Sequence, residues 1–365
     1  MKRALVVGAL GAAGVALGLV RDPDRTLAGY LAAWCATVTL SLGGLAVLAI
    51  GYATNATWPA VVRRLCETIA AALLPLAVLG VPLLVGAARV WPWAADSRGL
   101  PNRAYLSLPV FAIRYAIYFA IWIALAELLG RRSRRRDAHP AAELDLERGL
   151  SSAALPILGI TGTLAAIDWL MSLQPTWWSA GFGLYILVGG LGAAVALVIL
   201  LAWRSPVPAR PPHFHALARL LHAFVILWAY LAYFQAMLIQ LANKPREVGF
   251  FVDRWDGGAW IATVLVAVLG FALPFLLLFP RALKRRAGYA GGVAVLVLVA
   301  HYVEAWWLVL PRGGQVPVPS WLDLAAIAAV VGLAAAACAL RMRGVSLVAT
   351  GDPYLASGLA YEAAP

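Results

Sequence analysis

Charge is what this 365-residue chain has least of. Only 13% of its residues are Asp, Glu, Lys or Arg, about half of the roughly 25% carried by soluble domains. That scarcity excludes a fold whose surface is largely solvated. Cysteine is scarcer still: Cys35, Cys66 and Cys338 are the three, far apart and each inside an apolar stretch. No CxxC or CxxCH occurs, which excludes the usual thiolate metal site, iron–sulfur cluster and covalently attached haem. Long polar insertions are missing too. The longest loops expected on one side are Arg89–Ala104 and Ala242–Gly258, and on the other Gly130–Gly149, which is charged and expected to be exposed. Any soluble catalytic domain working with this chain has to come from another polypeptide.

What is present is hydrocarbon. Hydrophobic residues make up 63% of the chain, and mean hydropathy is +0.83. The apolar residues come in blocks of about twenty, the length needed to cross a hydrocarbon core ~30 Å thick. Ten helices are predicted: Ala4–Val20, Leu27–Tyr52, Trp58–Ala88, Tyr105–Leu129, Leu150–Met171, Ala180–Trp203, Phe214–Leu241, Ala259–Phe279, Ala290–Leu308 and Trp321–Leu340. The segments are too long and alternate too little for a closed barrel, so the expected class is an all-α polytopic membrane protein. Met1-Lys2-Arg3 ahead of an apolar run is signal-like, but no convincing A-x-A site follows, so a retained first helix is expected. Kinks are expected at Pro75, Pro82, Pro156 and Pro274.

A net charge of +12 suggests nucleic acid, but the basic residues sit in short loops between spans, where they read as topology signals. With ten spans, both termini fall on one side. That side carries 19 of the 29 Lys and Arg, and the opposite side, counting Arg312, carries nine. The bias predicts cytoplasmic termini. The turn Asp168 to Ser179, with Trp169, Trp177 and Trp178 around Pro175, then lies outside. Tryptophan favours the headgroup layer, so these rings are expected there.

Ionisable residues inside the predicted spans are few enough to weigh singly, because each is costly in lipid. Glu67 and His222 fall about nine residues from the inner ends of their helices, a depth of ~13 Å. Arg114 is equally deep from the outside, followed by Tyr115 and Tyr118. Asp168 ends the fifth span, and His301 and Glu304 share a helix face by their i,i+3 spacing. One reading is two proton half-channels, with Glu67 and His222 inside and Arg114, Asp168, His301 and Glu304 outside. Tyr230, Tyr233, Gln235 and Gln240 would be added relays. Carboxylates and imidazoles suit that task because burial tunes their proton affinity. The plainer readings are an ion pair of Glu67 with Arg63 or Arg64, a turn-bracing Asp168 and an interfacial His301–Glu304 pair. His213 and His215 read as interfacial. Arg114 needs a partner, a headgroup or a ligand. A bis-His haem is not expected, because His222 and His301 fall in opposite halves.

Four blocks carry a family resemblance. They are Arg64-Leu65-Cys66-Glu67-Thr68 with Leu74-Pro75, Val81-Pro82-Leu83-Leu84 and Trp91-Pro92-Trp93; Leu108-Pro109-Val110-Phe111-Ala112-Ile113-Arg114; Asp168-Trp169-Leu170-Met171-Ser172-Leu173 with Pro175, Trp177–Ser179 and Phe182-Gly183; and Asn243, Pro245-Arg246-Glu247, Arg254, Trp260 and Leu273-Pro274-Phe275, ending in Lys284-Arg285-Arg286. Over roughly Trp58 to Arg286 the chain resembles the ActF subunits of bacterial alternative complex III, relatives of the NrfD/PsrC membrane subunits. Gln174 and Trp177-Trp178 depart from the acidic residue and Tyr frequent there.

The resemblance implies one transmembrane domain over 1–365. Its layout would be two four-helix bundles (27–171 and 180–308) with peripheral helices 4–20 and 321–340. It implies a subunit of a quinol:electron-acceptor oxidoreductase with no redox centre of its own, offering proton half-channels or a quinone-facing surface. Haem and iron–sulfur centres would belong to partners: an ActC-like membrane subunit, an iron–sulfur subunit and multihaem cytochromes c. Phospholipid is a further expected partner, and nucleic acid is not. Glu67, Arg114 and Asp168 lie within matching blocks; His222, His301 and Glu304 do not. The competing readings are a proton- or ion-coupled secondary transporter, which also uses broken helices and midplane charges, and a purely structural anchor.

Overall fold

A computed structural model describes residues 1–100, 102–139, 144–310 and 318–362; Arg312, counted above, lies outside them. Among the described residues there are ten helices long and apolar enough to cross a membrane. They are α1 (Lys2–Arg21), α2 (Pro23–Ala53), α3 (Arg63–Val85), α4 (Leu108–Ala138), α5 (Asp145–Leu173), α6 (Phe182–Arg204), α7 (Pro211–Ala242), α8 (Trp260–Leu277), α9 (Ala287–Val309) and α10 (Trp321–Arg341). The chain is an all-α, multi-pass membrane protein.

The helices form because their apolar runs are long and every backbone group must be satisfied internally in hydrocarbon. α2 is the central post. It packs against α3, α5, α6, α9 and α10, and most of its side chains are buried. α6 is the second post, touching α2, α5, α7 and α9. α1 and α10, from opposite ends of the sequence, lie against each other and against α2. Gly8, Gly11 and Gly332 let α1 and α10 meet backbone to backbone. A Cβ on Gly11 would stand 2.2 Å from the Ala329 amide nitrogen.

The prolines break helices where their missing N–H predicts. α3 is interrupted after Ala70 and after Leu79, ahead of Pro75 and Pro82, because each proline frees a carbonyl in the preceding turn. α8 widens into a π-turn over Val268–Ala272, just before Pro274. Pro156 is different: the helix runs through it unbroken. α3 also starts later than its hydropathy suggests. Residues Trp58–Val61 make a separate 3-10 turn, so Glu67 is only about one turn into the helix.

The Arg-rich segment after α4 is a second departure. It was expected to be an exposed loop, but α4 continues to Ala138. Ser133 and Arg136 are buried, and so is Glu147 at the start of α5. The reason is pairing: Arg132 and Arg136 each lie 2.7 Å from Glu147, and Arg136 donates to the Tyr52 hydroxyl at 3.0 Å. A charged segment is not an exposed one when its counter-charges fold over it.

The segment after α10 folds back across this same end. Asp352 pairs with buried Arg63, and the Gly351 amide donates to Asp137 at 3.1 Å. His213 accepts from the Arg210 amide through Nδ1 at 3.0 Å, which places the ring proton on Nε2, 2.9 Å from the Gly358 carbonyl. His213 is therefore buried at a helix–tail seam, and His215 is buried as well, rather than interfacial. Replacing Asp352 with Ala should release this tail. Limited trypsin cleavage at Arg341 and Arg343 should accelerate about tenfold, the equivalent of ~1.4 kcal/mol in the opening equilibrium; an unchanged rate would mean that the tail is held elsewhere.

Candidate functional site

Three clusters of buried polar side chains are stacked in the apolar bundle. The first stands at the end of the molecule where α4 begins and α5 finishes. Arg114 reaches Asp168 with both nitrogens of one guanidinium edge, Nε and Nη2, each 2.8 Å from a carboxylate oxygen. Tyr118 donates to the same carboxylate at 2.9 Å, and Arg114 Nη1 donates to the Tyr105 carbonyl at 3.0 Å. The guanidinium also lies 3.7 Å above the Tyr105 ring. Burial, reinforced by the Asp168 charge, pushes the Tyr105 hydroxyl above its ordinary range. The partner that Arg114 required is thus Asp168. Three donors converge on a carboxylate that is 1% exposed, an arrangement suited to bracing.

The neighbouring turn is held by its tryptophans in an unexpected way. Trp169 and Trp177 are buried, and only Trp178 is broadly exposed. Trp91 donates to the Trp169 carbonyl and Trp93 to the Ser172 hydroxyl, both at 3.1 Å. Trp177 donates to the Glu247 carbonyl at 3.1 Å and stacks on Phe250 at 4.0 Å. An indole has one N–H to satisfy, and here protein carbonyls and a hydroxyl satisfy it instead of the headgroup layer.

The second cluster lies at the contact of α2, α6, α7 and α9. Glu304, 5% exposed, accepts from Trp228 Nε1 at 2.7 Å. Its other oxygen is 3.6 Å from His301 Nδ1. His301 Nε2 is 3.0 Å from the Thr39 hydroxyl and 3.2 Å from the Ala36 carbonyl. A carbonyl only accepts, so Nε2 carries the ring proton. Nδ1 then presents a lone pair to a carboxylate, and the two repel unless the pair holds one more proton, on Nδ1 or on the carboxyl. Two small voids of about 10 and 30 Å³ border His301 and Glu304 on opposite sides, near the size that admits a single water.

The third cluster sits at the other end of the molecule. Arg64, fully buried, lies 3.1 Å from Glu67 and 2.6 Å from Asp137. Glu67 Oε1, Ser151 Oγ and Arg63 Nη2 are buried with no hydrogen-bond partner among the described residues, an unusual density of unmet polar atoms for a folded interior. Arg63 itself is paired with Asp352, under the tail.

The remaining candidates are dispersed. His222 meets the edge of Phe275 at 5.2 Å and its Nε2 has no hydrogen-bond partner among the described residues. Gln235 accepts from Ser179 at 2.9 Å. Tyr230 and Tyr233 are broadly exposed and, with Gln240, border a cavity of about 860 Å³ between α7 and α8. No sequence signal marked the roles of Asp137, Thr39 and Trp228, which are partnered across helices far apart in the chain, or of Glu147, whose partners lie on the preceding helix. Tyr118 was legible only as a neighbour of Arg114.

Among the described residues, no group of three or more His, Cys, Asp or Glu is placed to hold a metal ion. The chain matches no family model and no curated protein.

Proposed function

We propose that this chain is an integral membrane subunit of a bacterial quinol:electron-acceptor oxidoreductase, without a redox centre of its own, that passes protons between the ends of its bundle. Both termini would be cytoplasmic, in keeping with the basic bias of that side, so protons would enter at Glu67, beside the fixed charge of Arg64. The His301–Glu304 pair would hold them at mid-depth. ActC-like, iron–sulfur and multihaem cytochrome c partners would carry the electrons, and quinol would be oxidised at or beside this subunit.

One observation supports the proton role above the others. A histidine lone pair faces a buried carboxylate at 3.6 Å, between two water-sized voids, so the site has a place for one exchangeable proton and a vestibule on either side. The Asp168–Arg114 cluster supports a different task, since a carboxylate with a bidentate guanidinium and a phenol on it is a poor proton carrier. Its part in the proposed subunit is to lock the start of α4 to the end of α5 within the first bundle.

The test starts from the tagged chain purified from its native membrane in mild detergent. It should bring down polypeptides carrying c-type haem and iron–sulfur spectra. Recovery of the chain alone, active in solute uptake after reconstitution, would replace this reading with a secondary transporter. In the intact assembly, Glu304→Gln should reduce the membrane potential generated per quinol oxidised about tenfold or more, given the usual worth of a positioned proton donor. An unchanged potential in a fully assembled variant would remove the pair from any proton route.

A further inference from the structure

The cavity between α7 and α8 has a feature that the proton route does not use. Arg254, in the connection between the short helix Pro245–Val252 and α8, is 2% exposed and lines the cavity wall. Among the described residues its hydrogen bonds all go to carbonyls: Trp307 at 3.3 Å, Phe250 at 2.9 Å and Leu308 at 2.9 Å. Its guanidinium lies 3.5 Å over the Phe250 ring. Three of its five N–H groups are used, and two remain. Burial pushes its pKa down to about 9, with Asp253 acting against the shift. It is still a cation at neutral pH, so its charge is held in the wall largely by carbonyl dipoles and two aromatic faces, those of Phe250 and, at 5.1 Å, Trp307.

The rest of the cavity is mostly apolar, with one acid and a few uncharged polar groups such as Gln240 and Thr263. Val266, Ala267 and Phe271 of α8 face Ala232 and Ala236 of α7 across about 860 Å³. The π-turn at Val268–Ala272 ahead of Pro274 carries Phe271 into that wall. Asp256 lines the same cavity two residues beyond Arg254 and is exposed. Tyr230 and Tyr233, broadly exposed, also line the cavity. The wall therefore carries an ionic pair of both signs, two residues apart, and the remaining, mostly apolar lining encloses a volume large enough for acyl chain.

We propose that this cavity is a structural binding site for a zwitterionic diacyl phospholipid, with its phosphate on Arg254, its ammonium toward Asp256 and its acyl chains between α7 and α8. A phosphate oxygen takes the two spare N–H groups of Arg254 as charge-assisted bonds. A phosphoethanolamine head matches the +/− pair of the wall, whereas a purely anionic head leaves Asp256 facing a second negative charge.

The experiment is a lipid titration of the delipidated full chain, read by native mass spectrometry as bound copies. Dioleoylphosphatidylethanolamine should bind at least about tenfold more tightly than dioleoylglycerol, the difference expected when a charge-assisted hydrogen bond is lost. Arg254→Gln should remove that advantage. Because Arg254 also ties down the 307–308 carbonyls, Ala236→Trp serves as the second variant. It fills the cavity without touching the guanidinium, and it should lower phosphatidylethanolamine affinity by a similar factor while the lipid-free melting temperature is unchanged. Equal binding of dioleoylglycerol, undiminished binding to Ala236→Trp, or comparable binding of inorganic phosphate alone would each overturn the site. Equal or tighter binding of dioleoylphosphatidylglycerol would overturn the role of Asp256. Tighter binding of a long-chain quinone, lost in Ala236→Trp, would assign the cavity to quinone instead of lipid.

Discussion

Asp168→Asn should cost this protein about 3–5 kcal/mol of stability, the range for breaking a buried ion pair from one side. The mutation is isosteric, so the loss is electrostatic and not a packing defect. Arg114 keeps its charge but loses a carboxylate that it holds by two bonds of 2.8 Å. Its side chain is 13% exposed, so water cannot repay much of that loss. Tyr118 loses a charged acceptor at the same time. Arg114→Gln should be at least as damaging, because it strands the less exposed partner. The double variant is the decisive one: with both charges gone, no buried charge is left unpaired, and its cost should fall well below the sum of the two single costs. Detergent-micelle unfolding by SDS would measure all three. Additivity within about 0.5 kcal/mol would show that the two side chains are not coupled.

A leucine at Gly190 should be comparably severe, for a steric reason. α2 and α6 cross with their backbones in contact. A Cβ at Gly190 would stand 2.4 Å from the Thr39 carbonyl oxygen, and one at Gly43 would stand 2.2 Å from the Gly190 oxygen. Neither obstacle is a flexible side chain that can turn away. Overpacking typically costs about 1–3 kcal/mol, and a backbone–backbone clash between the two central helices belongs at or above the upper end. Gly190→Leu should therefore lose about 3 kcal/mol or more, while Gly190→Ala should lose less. The displacement also reaches the candidate site, since the Thr39 hydroxyl is 3.0 Å from His301 Nε2. If the relay proposal holds, potential generation should fall in Gly190→Ala even where the protein still assembles. Wild-type stability within about 0.5 kcal/mol for Gly190→Leu would mean that the helices do not cross this closely.

Hydropathy was enough to place ten spans, because bilayer thickness sets their length and the absence of water inside it leaves only helices or barrels. It placed their ends less well. The late start of α3 and the long run of α4 depend on a 3-10 turn at Trp58–Val61 and on Glu147 meeting Arg132 and Arg136, neither of which has an apolar signature. Of the candidate residues, the His301–Glu304 and Arg64–Glu67 pairs were readable as pairs, since i,i+3 positions share a helix face whatever the tertiary fold.

By itself, then, the sequence determined that this is a ten-helix membrane chain and which of its residues are too polar to be idle in hydrocarbon. Only the tertiary structure decided their partners. Asp168 and Arg114 are 54 residues apart, and Arg63 and Asp352 are 289 apart. Such pairs depend on how helices are rotated and how closely they approach, which small residues such as Gly43 and Gly190 set across the bundle. The tryptophans of the Asp168 turn show the same division. Their number suggested a membrane interface, but whether an N–H such as that of Trp177 meets a lipid headgroup or, as here, the Glu247 carbonyl depends on which loops fold over it.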